Sequence, residues 1–281
     1  MSTEAQRQAH GRAHRDGRGR DPTFYPVEKK MGEDSLQTWI VELLRPLIER
    51  WYQELGRPRF VGADQFIYYQ QFDPSKVVAP DVYVLPGVPP GRRVRSWKVW
   101  ETGIAPSFAL EVVSSDEPYK DYADAPERYR ELGVRELVIF DPDWERSRDR
   151  VRFQRYRRLK TRGFVRVETT NVDRIYARVL GCWLRVIGAG DAARLRLATG
   201  PEGEALFPTA AEAERAAREA ERAAREAERA AREAERAAKE AERAAKEAER
   251  AAKEAALERV AALEAQLASA AGAKDEGPGV P

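Results

Sequence analysis

Two carboxylates stand out for the company they keep. Asp81 follows Pro80 and opens the run Asp-Val-Tyr-Val, and Glu111 sits in the middle of Ser107-Phe-Ala-Leu-Glu-Val-Val. Both runs are short, apolar and β-branched, and each is bounded by Pro, Gly or Ser, so both read as strands. Alternation puts Phe108, Leu110 and Val112 on one face of the second run, with Ala109, Glu111 and Val113 on the other. A strand apolar on both faces is buried on both. A carboxylate in its centre is costly unless it is paired, protonated or bound to a cation. Asp81 can reach the same strand end, and two acids converging there suit a hard divalent cation. Two plainer readings stand beside this one: Asp81 caps a turn, and Glu111 pairs with a buried Arg or Lys.

A third run, Glu136-Leu-Val-Ile-Phe140 before Asp141-Pro142, completes the set. Asp124 with Glu127 three residues on has the capping-box pattern, Pro126 fits a first turn, and Gly133 is a left-handed helix stop. Strand, helix and strand from Glu111 to Phe140 therefore form a βαβ unit with a parallel pair. Upstream, Asp34 or Ser35 can cap a helix reaching about Leu55, whose core stripe runs through Leu36, Trp39, Ile40, Leu43, Leu44, Leu47, Ile48, Trp51, Tyr52 and Leu55. Pro46 predicts a kink near Val41 and Glu42, or a break there. Glu33, just before the cap, either faces the strand end of Asp81 or simply complements the helix dipole. The aromatic stretch from Arg59 to Gln71 reads as a strand or hairpin. Residues 151–160, 164–169, 176–179, 182–187 and 194–198 alternate as short antiparallel strands.

The chain has 281 residues, 42% hydrophobic and 34% charged, with a net charge of +2. That charge announces no nucleic-acid binder by its global field. Residues 1–21 are polar and basic, and read as a solvated tail or a nucleic-acid-binding arm. The lone Cys182 excludes an internal disulfide and a Cys-based zinc site. Both histidines, His10 and His14, lie in that tail, which leaves none for a core triad. No apolar run approaches ~18 residues and the start has no secretory pattern, so the expected setting is cytoplasmic, with no membrane. No P-loop appears.

From Thr209 the composition changes. A heptad Arg-Glu-Ala-Glu-Arg-Ala-Ala repeats from Arg218, with Lys replacing Arg from Lys239. Ala213, Ala220, Ala227 and Ala234, and Ala216, Ala223, Ala230 and Ala237, take a and d spacing, and the seam turns apolar at Leu257, Val260, Leu263 and Leu267. The expectation is a helix of about 60 residues that dimerises as a coiled coil, with a single charge-paired helix as the alternative. The expected organisation is a tail over 1–21, a folded domain over 22–207, the heptad helix over 209–271 and a tail over 272–281.

Five stretches taken together resemble one family. They are Met31-Gly-Glu-Asp-Ser-Leu-Gln37, Ala79-Pro-Asp-Val82, Trp97-Lys-Val-Trp-Glu-Thr-Gly-Ile-Ala-Pro106, Glu111-Val-Val-Ser114, and Tyr129-Arg-Glu-Leu-Gly-Val134 on to Phe140-Asp-Pro142. They resemble the Uma family of restriction endonucleases, within the PD-(D/E)XK nuclease superfamily, over roughly residues 26–207. The resemblance implies an α/β (α+β) fold, a mixed sheet flanked by helices, and a Mg²⁺-dependent (or Mn²⁺-dependent) nuclease acting on DNA. It makes Asp81 and Glu111 metal ligands and Glu33 a third, helix-borne acid. The sequence departs from the pattern at the lysine. The position two after the acid is Val113, and the positions four and five before Tyr129 are Ala125 and Asp124. Lys120 is the nearest substitute, in the connection before the capped helix, with Asp121 and Tyr122 weaker alternatives. The competing expectation is a catalytically degenerate nuclease fold that binds or scaffolds through its C-terminal helix. A homodimer is expected through the domain, the helix or both.

Overall fold

The computed structural model describes residues 23–26, 35–114 and 120–272. Glu33, the capping role of Asp34 and both terminal tails lie outside the described residues. The chain divides into two compact units, Met1–Ala210 and Ala211–Pro281.

The first unit opens with α1 (Ser35–Glu54), then β1 (Phe60–Gly62), β2 (Phe66–Tyr68), β3 (Val77–Val78), β4 (Val82–Leu85) and β5 (Ser96–Lys98). One helical turn, α2 (Val99–Thr102), leads to β6 (Phe108–Val112). A π-helical turn at Lys120–Asp124 runs straight into α3 (Ala125–Leu132), and β7 (Glu136–Phe140) completes the strand–helix–strand unit. The strands β8 (Phe153–Leu159), β9 (Gly163–Thr170), β10 (Arg174–Ala177), β11 (Cys182–Ile187), β12 (Arg194–Thr199) and β13 (Ala205–Leu206) follow.

The main sheet has the order β1-β4-β6-β7-β8-β9. Its β6–β7 pair is parallel, as the crossover through α3 requires, and the rest is antiparallel. A second sheet, β10-β11-β12-β13, is an antiparallel meander. A small sheet, β3-β2-β5, joins β2 and β5 in parallel.

Alternation along the central strands builds two cores. Phe108, Leu110 and Val112 meet Val82, Val84, Val138 and Phe140 on one face, covered by α1 and the second sheet. Ala109 and Val113 meet Tyr83, Leu85, Leu137 and Ile139 on the other, beneath α3 and the small sheet. Each fully buried apolar side chain of this kind contributes about 1.5–3 kcal/mol of transfer free energy.

Several local expectations are corrected. The helix α1 runs unbroken through Pro46. Trp39 and Leu55 leave the stripe and are exposed, and the Arg194 guanidinium lies 4.8 Å from the Trp39 ring centre. The stretch from Arg59 to Gln71 forms no hairpin, because β1 pairs with β4 whereas β2 pairs with β3 and β5. Asp124 is itself helical and makes no capping bond, and Glu127 pairs with Arg130 instead. Gly133 does end α3 in the left-handed region, at φ 91°.

The second unit is carried by α4 (Ala210–Gly272), 63 residues long and about 95 Å at 1.5 Å per residue. Glu214–Arg218, Glu221–Arg225, Glu228–Arg232, Glu235–Lys239, Glu242–Lys246 and Glu249–Lys253 all form i,i+4 pairs. Glu precedes the cation in each, which is the better orientation for such pairs. Leu257, Val260, Leu263 and Leu267 are exposed along it. No helix among the described residues is long and apolar enough to cross a membrane.

Candidate active site

The site lies where β4 begins and β6 ends. Val82 faces Leu110 and Val84 faces Phe108 across the antiparallel pair. The pairing stops at Val82, with Asp81 just before β4 and Glu111 just after Leu110 in β6. Both acids lie near this strand end: Asp81 reaches the amide of Val112, the neighbour of Glu111, and both charges act on Tyr129.

Each is held by neutral donors. Asp81 is 2% exposed. Its Oδ1 accepts from Gln37 Nε2 at 2.5 Å and its Oδ2 from the Val112 amide at 2.5 Å. Strand geometry explains the second bond. Val113 N–H goes to Phe140 on the β7 side, so Val112 N–H points to the β4 side, where the ladder has run out. The Asp81 carboxylate replaces the missing carbonyl. Glu111 is partly exposed within an otherwise buried strand, and its Oε1 accepts from the Tyr129 hydroxyl. Tyr129 comes from α3 and is 1% exposed. Burial, then the charge and hydrogen bond of Glu111, then the charges of Asp81 and Asp121, push its phenol well above the ordinary value. It is a neutral donor at any ordinary pH.

The π-helical turn brings a further acid near. Asp121 Oδ2 accepts from the Ser114 amide at 3.1 Å, just past the end of β6. The next residue anchors the turn: Tyr122 OH donates to Asp141 Oδ2 at 2.6 Å and accepts from the Val151 amide at 3.0 Å. Burial and that bond push the Tyr122 phenol up. Asp141, fully buried, is gripped by Arg150 Nε and a second guanidinium nitrogen, both at 2.6 Å. Lys120 is the first residue of that π-helical turn, and its side chain lies outside what the structure describes.

Among the described residues no group of three or more His, Cys, Asp or Glu assembles as a metal cage. The donor set still fits a hard cation. Asp81 and Glu111 supply carboxylate oxygens, the hard ligands such a cation takes, and Mg²⁺ is commonly held by one or two carboxylates, with water and substrate phosphate filling the rest. Gln37 and Tyr129 stand in the stretches that carry the family resemblance, yet the sequence assigned neither a role at the site, because nothing local shows what a side chain on α1 or α3 meets across a sheet end.

The model of the Uma2 family, described as "Putative restriction endonuclease", matches residues 27–185. The chain belongs to the Uma2 family. Asp81, Glu111, Tyr129 and the π-helical turn all fall inside the Uma2 match. A solved structure from Anabaena variabilis, described as "a putative nuclease belonging to DUF820", is similar at 12% identity, with a TM-score of 0.40, over 55% of this chain and 78% of that one. No curated protein matches.

Proposed function

We propose that this Uma2 protein is a divalent-metal-dependent endonuclease that hydrolyses phosphodiester bonds in DNA, with Mg²⁺ as its ion and Mn²⁺ as a substitute. The observation that supports this is the pair Asp81 and Glu111 at the start of β4 and the end of β6, where Asp81 accepts the amide beside Glu111. Both would hold the ion, with Glu33 as a third acid. A cation there would polarise the phosphate, lower the pKa of an attacking water and offset charge on the leaving oxygen. The chain itself contributes order. Gln37 and the Val112 amide fix Asp81, and Tyr129 fixes Glu111, so little reorganisation is needed when charge develops. Lys120 would steady the developing negative charge, since its turn is tied through Asp121 to Ser114 beside the end of β6.

One observation favours a second reading, a degenerate nuclease fold that binds without cutting. Val113 and Ala125, two positions where the family resemblance expects lysine, are both buried in the apolar core. Cleavage of supercoiled plasmid in Mg²⁺ or Mn²⁺ decides between them. The nuclease reading expects metal-dependent nicking that is lost in Asp81→Ala and Glu111→Ala, and reduced in Lys120→Ala. No nicking by wild-type protein in either metal would leave the binding reading.

We also propose a homodimer through α4, because Leu257, Val260, Leu263 and Leu267 are exposed at a spacing close to a heptad seam.

A further inference from the structure

We propose that Tyr129 is a positioning residue for Glu111, setting the carboxylate for cation binding. This rests on the metal site proposed above. The ring sits among Ala109, Val113, Leu137 and Ile139, in the core between α3 and the main sheet. Phenylalanine would fill that space without placing a polar atom in it. A buried hydroxyl is tolerated only when it is hydrogen-bonded, and the partner of this one is Glu111 Oε1. The bond engages one oxygen of Glu111 and so constrains the plane of its carboxylate, in a residue that is partly exposed within a buried strand. The donor is well fixed. A tyrosine has two side-chain torsions, both set here by packing, and α3 is closed behind it by the left-handed Gly133, whose N–H bonds back to the Tyr129 carbonyl at 3.2 Å. Hydrogen bonds to metal-ligating carboxylates orient them, and losing one typically costs 10–100-fold in metal affinity. In this chain the bond comes from the helix of the βαβ crossover and the ligand from its first strand, so one local unit carries both.

The test is calorimetric titration of Mn²⁺ into full-length wild type, Tyr129→Phe and Glu111→Gln, with electron paramagnetic resonance of free Mn²⁺ as a second readout. Thermal unfolding in chelator reports the metal-free fold. The expected result is a folded Tyr129→Phe protein that binds Mn²⁺ about 10–100-fold more weakly, and a Glu111→Gln protein that binds none. If Tyr129→Phe does not fold, Tyr129→Met, with an adaptable apolar chain, carries the same expectation. Binding by a folded variant within about twofold of wild type would overturn the role of Tyr129 while leaving the metal site standing, since that difference is far below the 10–100-fold expected. Absence of Mn²⁺ binding in the wild type would overturn both.

Discussion

Asp81 and Glu111 meet at one strand end, each one residue beyond the last paired position, Val82 with Leu110, and Asp81 accepts the amide of Val112 beside Glu111. The two differ in what else they do. Asp81 closes the end of a ladder by accepting the Val112 amide, whereas Glu111 accepts the hydroxyl of a side chain from α3.

That difference predicts how substitutions at Asp81 divide. Asp81→Ala leaves the buried Val112 amide without its acceptor, which costs about 1–3 kcal/mol. Asp81→Asn keeps an oxygen for that amide, and Gln37 can turn its own amide to meet the new NH₂. Urea denaturation should therefore find Asn close to wild type and Ala clearly weaker, while both abolish metal-dependent nicking. Equal loss of stability would show that the Val112 bond contributes nothing.

The Asp141 network should hold the π-helical turn in place. Arg150→Met leaves Asp141, fully buried, without its cation, and breaking such a pair from one side costs about 3–5 kcal/mol. Hydrogen exchange should then accelerate across residues 120–124, because Tyr122 shares the same carboxylate. Unchanged protection there would separate the turn from the network.

Alkaline pH should weaken the fold. Burial, then the charge of Glu136, pushes the Cys182 thiol from 9.0 to about 12. Burial also raises Tyr52 from 10.0 to about 12, against a smaller lowering by Arg59. In each case the folded state keeps a proton that the unfolded chain gives up. Stability is thus complete below about pH 9 and falls as pH rises toward 12, by about 1.4 kcal/mol per unit for each group within its window. Urea midpoints at pH 7, 9 and 10.5 check this. In the native state Cys182 should also resist iodoacetamide at pH 8.5, and prompt alkylation would show that the thiol is not buried.

Gly62 lies opposite Tyr83 in the β1–β4 pair, where a Cβ would overlap the Tyr83 ring. That ring is fully buried and its hydroxyl donates to Gln65 Oε1 at 2.8 Å, so it cannot move aside freely. Gly62→Ala should cost about 1–3 kcal/mol as an overpacked contact, read as a lower urea midpoint. A variant as stable as wild type would mean that the ring shifts without cost.

The proposed dimer should dissociate when charge enters the apolar end of α4. Sedimentation equilibrium should give twice the monomer mass for wild type and the monomer mass for the double variant Leu263→Glu, Leu267→Glu. A wild-type monomer would leave α4 as a single helix held by its own Glu–Arg and Glu–Lys pairs.

The alternation in Phe108–Val112 assigns each residue to its core, and the antiparallel runs from residue 153 onward appear as strands, because both follow from a period of two within one segment. The repeat behind α4 likewise needs no tertiary partner, since its i,i+4 pairs lie within the helix. Asp81 and Glu111 were legible as isolated polar residues in apolar strands.

What failed was whatever depends on contacts distant in sequence. Trp39 carries the right helical phase and is still exposed, with the guanidinium of Arg194, at the start of β12, over its ring. The strands β1 and β2 are neighbours in sequence but belong to different sheets. Asp124 has the residue type of a cap, yet the helix begins earlier, because Ser114, Asp141 and Val151 tie down the turn before it. The sequence by itself determined the strands, their buried faces and the two acids, since burial patterns are written residue by residue. Only the tertiary structure decided that Gln37 and Tyr129 hold those acids, because a hydrogen bond between a helix and a strand end depends on where separate elements pack, and no local pattern encodes that.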